Sequence, residues 1–540
     1  MSLTLERGAL PGTAEARRTT APHGTEAPHG TAEARRPEAP HGTAEARRTE
    51  APHGTADELR ELRRFAFEQG AGKAFVAPGP QIDPSIGTTS GQLPAAVRPD
   101  AGRPLALGTS RLLRRTPFPT GLGPADGPAA GAQTLDHLLV TAFGLQRREP
   151  SNSFNDHRVV PSVRSKFPVR PYLLQDGATR YLDVQRHALL DVEGAPAADG
   201  EQGATVVLAG RHTDLPPQYA LLRGPLVDLE IGHNLRSLYL AAQLFGVRAE
   251  LELPTPEPEG LAERIGIRPA EGWAYPVAVR LDGATPRWRP GTDRPAPTGD
   301  PALDRVLRID RMTRPSGAPA PAAEATGTGP YPVEGNGLSW AEVLWNRTAG
   351  RTPEGIGGFS GVRAPQPYAA VADSLALACA PPPSPLLAAV AGHVRLTLCA
   401  QDVEGLPDGI HRVEDNRLTG HLARPGVHAA LDSQFGYPLS GGNDCSVRHA
   451  TFVWTFTADL RALFAEFGPS AWKLLQYVCG WSAQGLVLGA AAYGMYARPA
   501  RAFDEVRIAR TLELDRDQTA VFQVVCGTGR FREPMLDLRS

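Results

Sequence analysis

Residues 218–246, QYALLRGPLVDLEIGHNLRSLYLAAQLFG, and residues 466–494, EFGPSAWKLLQYVCGWSAQGLVLGAAAYG, lie 248 positions apart and share one frame. Six positions are identical across that offset: Leu226 and Leu474, Gly232 and Gly480, Leu238 and Leu486, Leu240 and Leu488, Ala242 and Ala490, Gly246 and Gly494. From Leu226 to Phe245 few positions are charged, so a helix there is apolar on nearly all sides and has to be buried. A buried helix repeated in two halves predicts an internal pseudo-dimer. The copies also differ. Gln218-Tyr219 and Gly232-His233-Asn234 in the first stand against Glu466-Phe467 and Gly480-Trp481-Ser482 in the second, which lacks the phenol and the imidazole. Taken singly, His233 reads as a core histidine and Tyr219 as a packing residue.

A chain of 540 residues accommodates two large domains, each able to bury a full core. The net charge of -2 gives no global field for a polyanion, and no Lys/Arg block is interleaved with aromatics, so nucleic acid is not an expected partner. The five cysteines, Cys379, Cys399, Cys445, Cys479 and Cys526, lack paired CxxC spacing, which argues for a reducing cytosol and against structural zinc. Apolar runs such as Leu486 to Tyr493 are too short to span a bilayer, and the start of the chain lacks an apolar signal core. A cytoplasmic protein with no metal and no membrane partner is expected.

Residues 13–56 repeat a twelve-residue unit, clearest as APHGTAEARRPE and APHGTAEARRTE, with almost no large apolar residues. Such a segment cannot offset its ordering entropy, so residues 1–56 are expected to be a disordered tail. The recurring His23, His29, His41 and His53 follow from repeat expansion, although a mobile array could hold a metal weakly. Asp57 to Phe67 has helical spacing and opens a lead-in over 57–107. The halves are then 108–283 and 332–540, separated by a Pro/Gly-rich linker over 284–331. Strands are expected near Arg170 to Leu174, Ala204 to Ala209, Val394 to Cys399 and Thr451 to Thr457, which with the helices makes the chain α/β or α+β.

Near the start of each half lies an Arg/Thr cluster, SRLLRRTPFPTG from Ser110 and WNRTAGRTPEG from Trp345. Guanidinium forks beside hydroxyls suit phosphate, whose oxygens accept bidentate hydrogen bonds. In VPSVRSKFPVRPYLL, Val160 to Leu174, a Pro-Ser turn precedes a strand and could aim backbone N–H groups at a ligand edge.

In that order, the Arg/Thr motif, the Pro-Ser turn and the buried helix with Gly-His-Asn resemble the nitroreductase superfamily of FMN-dependent oxidoreductases. The run CAQDVEGLPDGIHRVEDNRL from Cys399 and the run TFVWTFTADLRALFAEFGPSAWK from Thr451 are similar to its azoline dehydrogenase branch. That branch oxidises thiazolines and oxazolines to azoles in ribosomally made peptides. The resemblance covers roughly residues 108–530 and implies two α+β nitroreductase-like domains in tandem, forming an intrachain pseudo-dimer. It places FMN phosphate contacts on Arg114, Arg115 and Thr116 in the first half and on Arg347, Thr348 and Arg351 in the second. The family's flavin-ring turn falls on Pro161, Ser162, Val163 and Arg164, with Arg164 where glycine is expected, and Asn234 joins the flavin contacts. The catalytic Lys-Tyr pair falls on Gln218 and Tyr219, with His233 beside them, and on Glu466 and Phe467 in the second half, so only one tyrosine survives. A phenol with a solution pKa of about 10 is a poor base without a neighbouring cation. Arg223, His212 or the reduced flavin could supply that charge, or Tyr219 could act by orientation.

The resemblance implies FMN as cofactor, dioxygen as final oxidant, an azoline-containing precursor peptide as substrate and a cyclodehydratase complex as partner. Two alternatives stand beside it: a NAD(P)H-dependent enzyme of the same fold acting on a small molecule, and a flavin-free pseudoenzyme that binds peptide or scaffolds the biosynthetic complex.

Overall fold

Two long helices set the architecture. The computed structural model describes residues 56–69, 89–120, 132–150, 156–292, 296–315, 333, 335–350, 361–435, 447–501, 503–531 and 534–540; the twelve-residue repeats and Arg351 lie outside the described residues. The first long helix is Arg223–Leu244 and the second Ala471–Ala492, each of 22 residues and displaced by the offset of the sequence repeat. All of the first is buried except Gln243, and all of the second except Ser482. Both end on a glycine of the repeat in the left-handed region, Gly246 at φ 67° and Gly494 at φ 68°. The next amide then bonds back to the helix, Val247 to the Ala242 carbonyl and Met495 to that of Ala490.

The two helices pack against each other at Gly232 and Gly480. A β-carbon on Gly232 would lie 2.9 Å from the Gly480 Cα, and one on Gly480 would lie 3.0 Å from the Gly232 Cα. Glycine at both positions lets the backbones touch. Two buried charges of the first helix, Asp228 and Arg236, are answered from the second half. Lys473 reaches Asp228 at 3.3 Å and also bonds Asp310. Arg236 donates to the Leu377 carbonyl and lies 4.7 Å from the Trp481 ring. One contiguous apolar core runs through both halves, from Leu62 and Phe65 to Val524 and Cys526, so neither half closes its core alone.

Each half carries an antiparallel sheet. In the first the strand order is Val97–Pro104, Ala188–Val192, Ala178–Asp183, Val169–Gln175, Gln202–Gly210, Val277–Thr285 and Ala249–Glu252. In the second it is Gly361–Val362, Thr519–Gly529, Phe452–Ala458, Val394–Ala400, Gly409–Glu414 and Arg417–Leu422, with Tyr496–Ala500 also paired to Thr519–Gly529. Antiparallel pairing throughout makes the chain α+β. A third, small sheet joins Leu536–Asp537 to Leu145–Arg148 and Asp156–Arg158, so the end of the second half completes a sheet begun in the first.

The helix expected from Asp57 is present as Ala56–Gln69, which buries Leu62 and Phe65, and the same lead-in adds the strand Val97–Pro104 to the first sheet. One boundary differs from expectation. The expected linker contains the helix Pro301–Met312, capped by the Asp300 carboxylate and buried through Leu303, Val306, Leu307 and Ile309. Its Pro and Ala content masked an amphipathic spacing. No helix among the described residues is long and apolar enough to cross a membrane.

Candidate functional site

Residues of both halves meet in a buried cationic cluster. On the small sheet, Arg147 stands opposite His157. The Arg147 guanidinium donates to the Arg347 carbonyl at 3.1 Å and to that of Trp345. Arg347 follows the helix Trp340–Asn346, which Ser339 and Glu342 close with a reciprocal capping box. Its Nη2 lies 3.4 Å from His157 Nδ1, and its Nε has no hydrogen-bond partner among the described residues. Glu149 lies 3.1 Å from His157 Nε2 and 3.4 Å from Arg147 Nε.

The electrostatics are unbalanced. Burial, reinforced by the Arg147 charge, pushes the Arg347 guanidinium down to about 9. Burial takes His157 down to about 4, against the pull of Glu149. For Glu149, burial is outweighed by the His157 hydrogen bond and the Arg147 charge, which bring it down to about 2. Near neutrality, then, two guanidiniums face one carboxylate across a neutral imidazole. An excess buried cation is costly unless an anion joins it. His233 lies on the long helix within the field of Arg347; burial first, and that charge second, push it down to about 3. Its Nδ1 also has no partner among the described residues. The ring is therefore neutral near pH 7, with one nitrogen able to donate and the other to accept a hydrogen bond.

Strand Asp156–Arg158 leads from this cluster to the Pro161-Ser162 turn. Arg164 and Ser165 adopt φ of 50° and 52°. Arginine therefore keeps the left-handed backbone that the family's glycine would favour, at a cost of about 1–2 kcal/mol. Its Nε donates to the Tyr219 hydroxyl at 3.0 Å. The turn's other donors face the long helix: Ser162 Oγ and Val163 N both donate to Glu230 Oε1, each at 2.9 Å. Ser162 Oγ in turn accepts from Phe167 N at 2.7 Å. The Asn234 side chain donates to the Glu230 carbonyl one turn back, at 2.7 Å. Beside them lies a small cleft lined by Phe143, Arg158, Phe167, Glu230 and Asn234 among others.

Other expected residues lie elsewhere. Arg114 and Arg115 are exposed at the end of the short helix Thr109–Arg114, and Thr116 bonds the Leu112 carbonyl. This triplet is not part of the buried cluster, because its helix end turns to solvent. Thr348 is half-buried next to Arg347, its hydroxyl accepting from Gly350 N at 3.3 Å. Gln218 is exposed while Tyr219 is buried. Of the cations considered for Tyr219, Arg223 pairs with Asp300 at 2.7 Å, and His212 is fully buried 4.0 Å from Asp310. Arg164, rather than either of these, bonds the Tyr219 hydroxyl. In the second half Glu466 pairs with His393 at 3.0 Å, and Phe467 meets the same imidazole edge-on. Arg147, His157 and Glu230 were not singled out from sequence. Two arginines and a histidine shortly before a Pro-Ser turn were the available signal, but no linear pattern brings 147 to 347.

No protein-family model matches the chain, and no curated protein matches it. Solved structures do. A crystal structure from Anabaena variabilis, assigned to the nitroreductases, is 16% identical with a TM-score of 0.59, over 87% of this chain and 99% of that one. The E. coli microcin synthetase McbBCD complex with truncated pro-MccB17 is 15% identical over 31% of this chain and 65% of that one, TM-score 0.26. A second structure assigned to the nitroreductases, in complex with FMN and from Exiguobacterium sibiricum, is 16% identical over 36% of this chain and 92% of that one, TM-score 0.23. The Anabaena likeness spans both halves. The chain has the nitroreductase-like α+β fold.

Proposed function

We propose that the protein is an FMN-dependent dehydrogenase that oxidises peptide azolines, thiazoline or oxazoline, to azoles. The observation that carries the flavin part of this reading is the buried Arg147–Arg347 pair, built from both halves, with one carboxylate for two guanidiniums. The partnerless Arg347 Nε and His233 Nδ1 add donor capacity that a phosphate would use. Arg147, Arg347 and Thr348 would hold the phosphate, and the Ser162 turn with Glu230 would face the ring. FMN, when bound, supplies the two-electron acceptor, and dioxygen is the final oxidant in this reading.

The chain's own groups position and protect. Arg164 holds the Tyr219 hydroxyl at one edge of the turn, so the phenol is oriented before substrate arrives. Phe143 and Phe167 form the aromatic part of the cleft wall, beside Arg158, Glu230 and Asn234. The azoline part of the reading rests on the hairpin Gly409–Glu414 and Arg417–Leu422 and on the surviving Tyr219, both carried by the sequence resemblance. The partners are then a precursor peptide that already carries azolines and the cyclodehydratase complex that forms them.

A flavin-free peptide-binding protein is the second reading. It is favoured by Glu230, which already accepts from Ser162 and Val163. Purified protein with a flavin spectrum, and loss of two hydrogens per azoline by mass spectrometry without added nicotinamide, is the expected result. Protein that is colourless and does not take up FMN would support the second reading. Flavin-bound protein that turns over only with NAD(P)H and a small acceptor would replace the substrate part alone.

A further inference from the structure

Glu230 is 3% exposed on the long helix, and its two oxygens have opposite surroundings. Oε1 accepts from Ser162 Oγ and Val163 N, both at 2.9 Å. Oε2 is buried and has no hydrogen-bond partner among the described residues. Two donors on one oxygen fix the plane of the carboxyl group and therefore the direction of the other.

The charged groups around it do not satisfy Oε2. Arg158, on strand Asp156–Arg158, lies over the Phe167 ring, its guanidinium 4.1 Å from the centroid. Asp214 is committed to Arg170 at 2.6 Å and acts on Glu230 only as a further negative charge. Asn234, on the same helix, bonds the Glu230 backbone carbonyl. An ionised carboxylate with one oxygen buried and bare costs several kcal/mol, whereas a carboxylic acid there carries a hydrogen that needs only an acceptor.

We propose that Glu230 is a neutral carboxylic acid and the hydrogen-bond donor that this cleft presents, through Oε2–H, to an acceptor atom on the edge of a bound heteroaromatic ring. The inference rests on the flavin reading for the identity of that ring. Ser162 Oγ and Val163 N are both spent on Oε1, so these two donors act on the ligand through Glu230. Burial pushes the carboxyl up to about 8, outweighing the Val163 and Ser162 hydrogen bonds and the Arg158 charge. The acid form therefore predominates at neutral pH. The role is one of binding and positioning, and it involves no net proton transfer.

Glu230→Gln keeps an acceptor for the turn and a donor for the cleft at every pH, whereas Glu230→Ala removes the donor and frees Ser162 Oγ and Val163 N. Affinity for FMN, read by fluorescence quenching from pH 6 to 9, should weaken at least tenfold in the parent above about pH 8 (roughly the pH at which the acid form is lost). Glu230→Gln should keep only the pH dependence that Arg347, at about 9, gives every form, so its affinity should exceed the parent's increasingly above pH 8, and Glu230→Ala should be weak throughout. Tighter FMN binding by Glu230→Ala would show that Glu230 blocks donors meant for the ligand, and would overturn the proposal. So would matching pH profiles in the parent and Glu230→Gln. An infrared carboxylic-acid C=O band in the difference spectrum of ligand-free parent minus Glu230→Gln at pH 7 reads the protonation directly, because the contribution of Asp228, at about 7, cancels. If no form binds FMN, the flavin reading falls, and the presence or absence of that band decides the state of Glu230.

Discussion

Gly232 and Gly480, identical across the internal repeat, are the point at which the two long helices touch backbone to backbone. A β-carbon on Gly232 would lie 3.0 Å from Trp481 N and closer still to the Tyr477 carbonyl. Backbone cannot give way as a side-chain tip can, so Gly232→Ala has to push the halves apart. Gly224, on the same helix, has Val306 Cγ1 at 3.4 Å as its nearest neighbour, which is ordinary contact. Gly224→Ala should therefore be neutral or gain up to about 1 kcal/mol from helix propensity. Gly232→Ala should lose roughly 2–4 kcal/mol or fail to fold. Urea midpoints of the two variants check this, and equal midpoints would remove the crossing from the account.

Arg347 should stabilise a ligand and destabilise the protein that awaits it. It is buried with its Nε bare and with Arg147 as a like-charged neighbour. Arg347→Met removes the charge, keeps most of the volume and should raise the stability of the ligand-free protein by roughly 1–3 kcal/mol. The same change should weaken FMN binding at least tenfold, about 1.4 kcal/mol. Arg115→Ala, at an exposed helix end, should leave both quantities unchanged. A loss of stability in ligand-free Arg347→Met would mean that the guanidinium is satisfied by the protein itself.

Tyr219 and Arg164 form a pair that can be separated by a double-mutant cycle. Tyr219→Phe removes the hydroxyl that accepts from Arg164 Nε, and Arg164→Gly removes the donor while suiting the left-handed backbone. Each should lower the azoline oxidation rate at least tenfold while flavin stays bound, and the double variant should lose little more than either alone. Phe467→Leu, at the second-half counterpart against His393, should leave the rate unchanged. Additive losses in the cycle would show that Arg164 does not act through Tyr219.

The sequence made the long helices legible to within a few residues because a fully buried helix leaves an apolar signature on every face. The strands near residues 170, 204, 394 and 451 were found for a similar reason, each being largely buried and carrying clustered β-branched, aromatic or leucine residues. The helix Pro301–Met312 was hidden by composition, although Asp300 followed by Pro301 is an N-terminal signature. The candidate site was only half legible. Arg347, Thr348, Ser162 and Tyr219 stand in local motifs, whereas Arg147, His157 and Glu230 acquire meaning from the fold. Glu230 sits within a helix read as apolar, and only the turn that approaches it gives it a role. Arg114 and Arg115 show the converse: the residue types suited a phosphate, but nothing in the sequence said that their helix end faces solvent.

His233 offers a test of that burial by pH. Its folded pKa is held at about 3, whereas an imidazole in the unfolded chain takes up a proton below about 6.5. The unfolded state therefore binds the extra proton between those values. The stabilising contribution of a neutral His233 is complete above about pH 6.5 and is lost as pH falls toward 3, at up to roughly 1.4 kcal/mol per pH unit. The raised carboxyl groups work in the other direction: Glu230 at about 8 and Asp228 at about 7 lose stability as pH rises from the unfolded carboxyl range toward those values. Because both kinds of group titrate in the same window, the total stability of the protein does not isolate either one, and the comparison has to be made against a variant. His233→Gln keeps a neutral polar side chain of similar reach and removes only the histidine contribution. The stability difference between parent and His233→Gln, from urea midpoints at pH 7, 6 and 5, should therefore shift against the parent at each step below 6.5. A difference that stays constant with pH would place His233 in contact with water or with a carboxylate, and would return it to the set of groups able to carry a proton in the site.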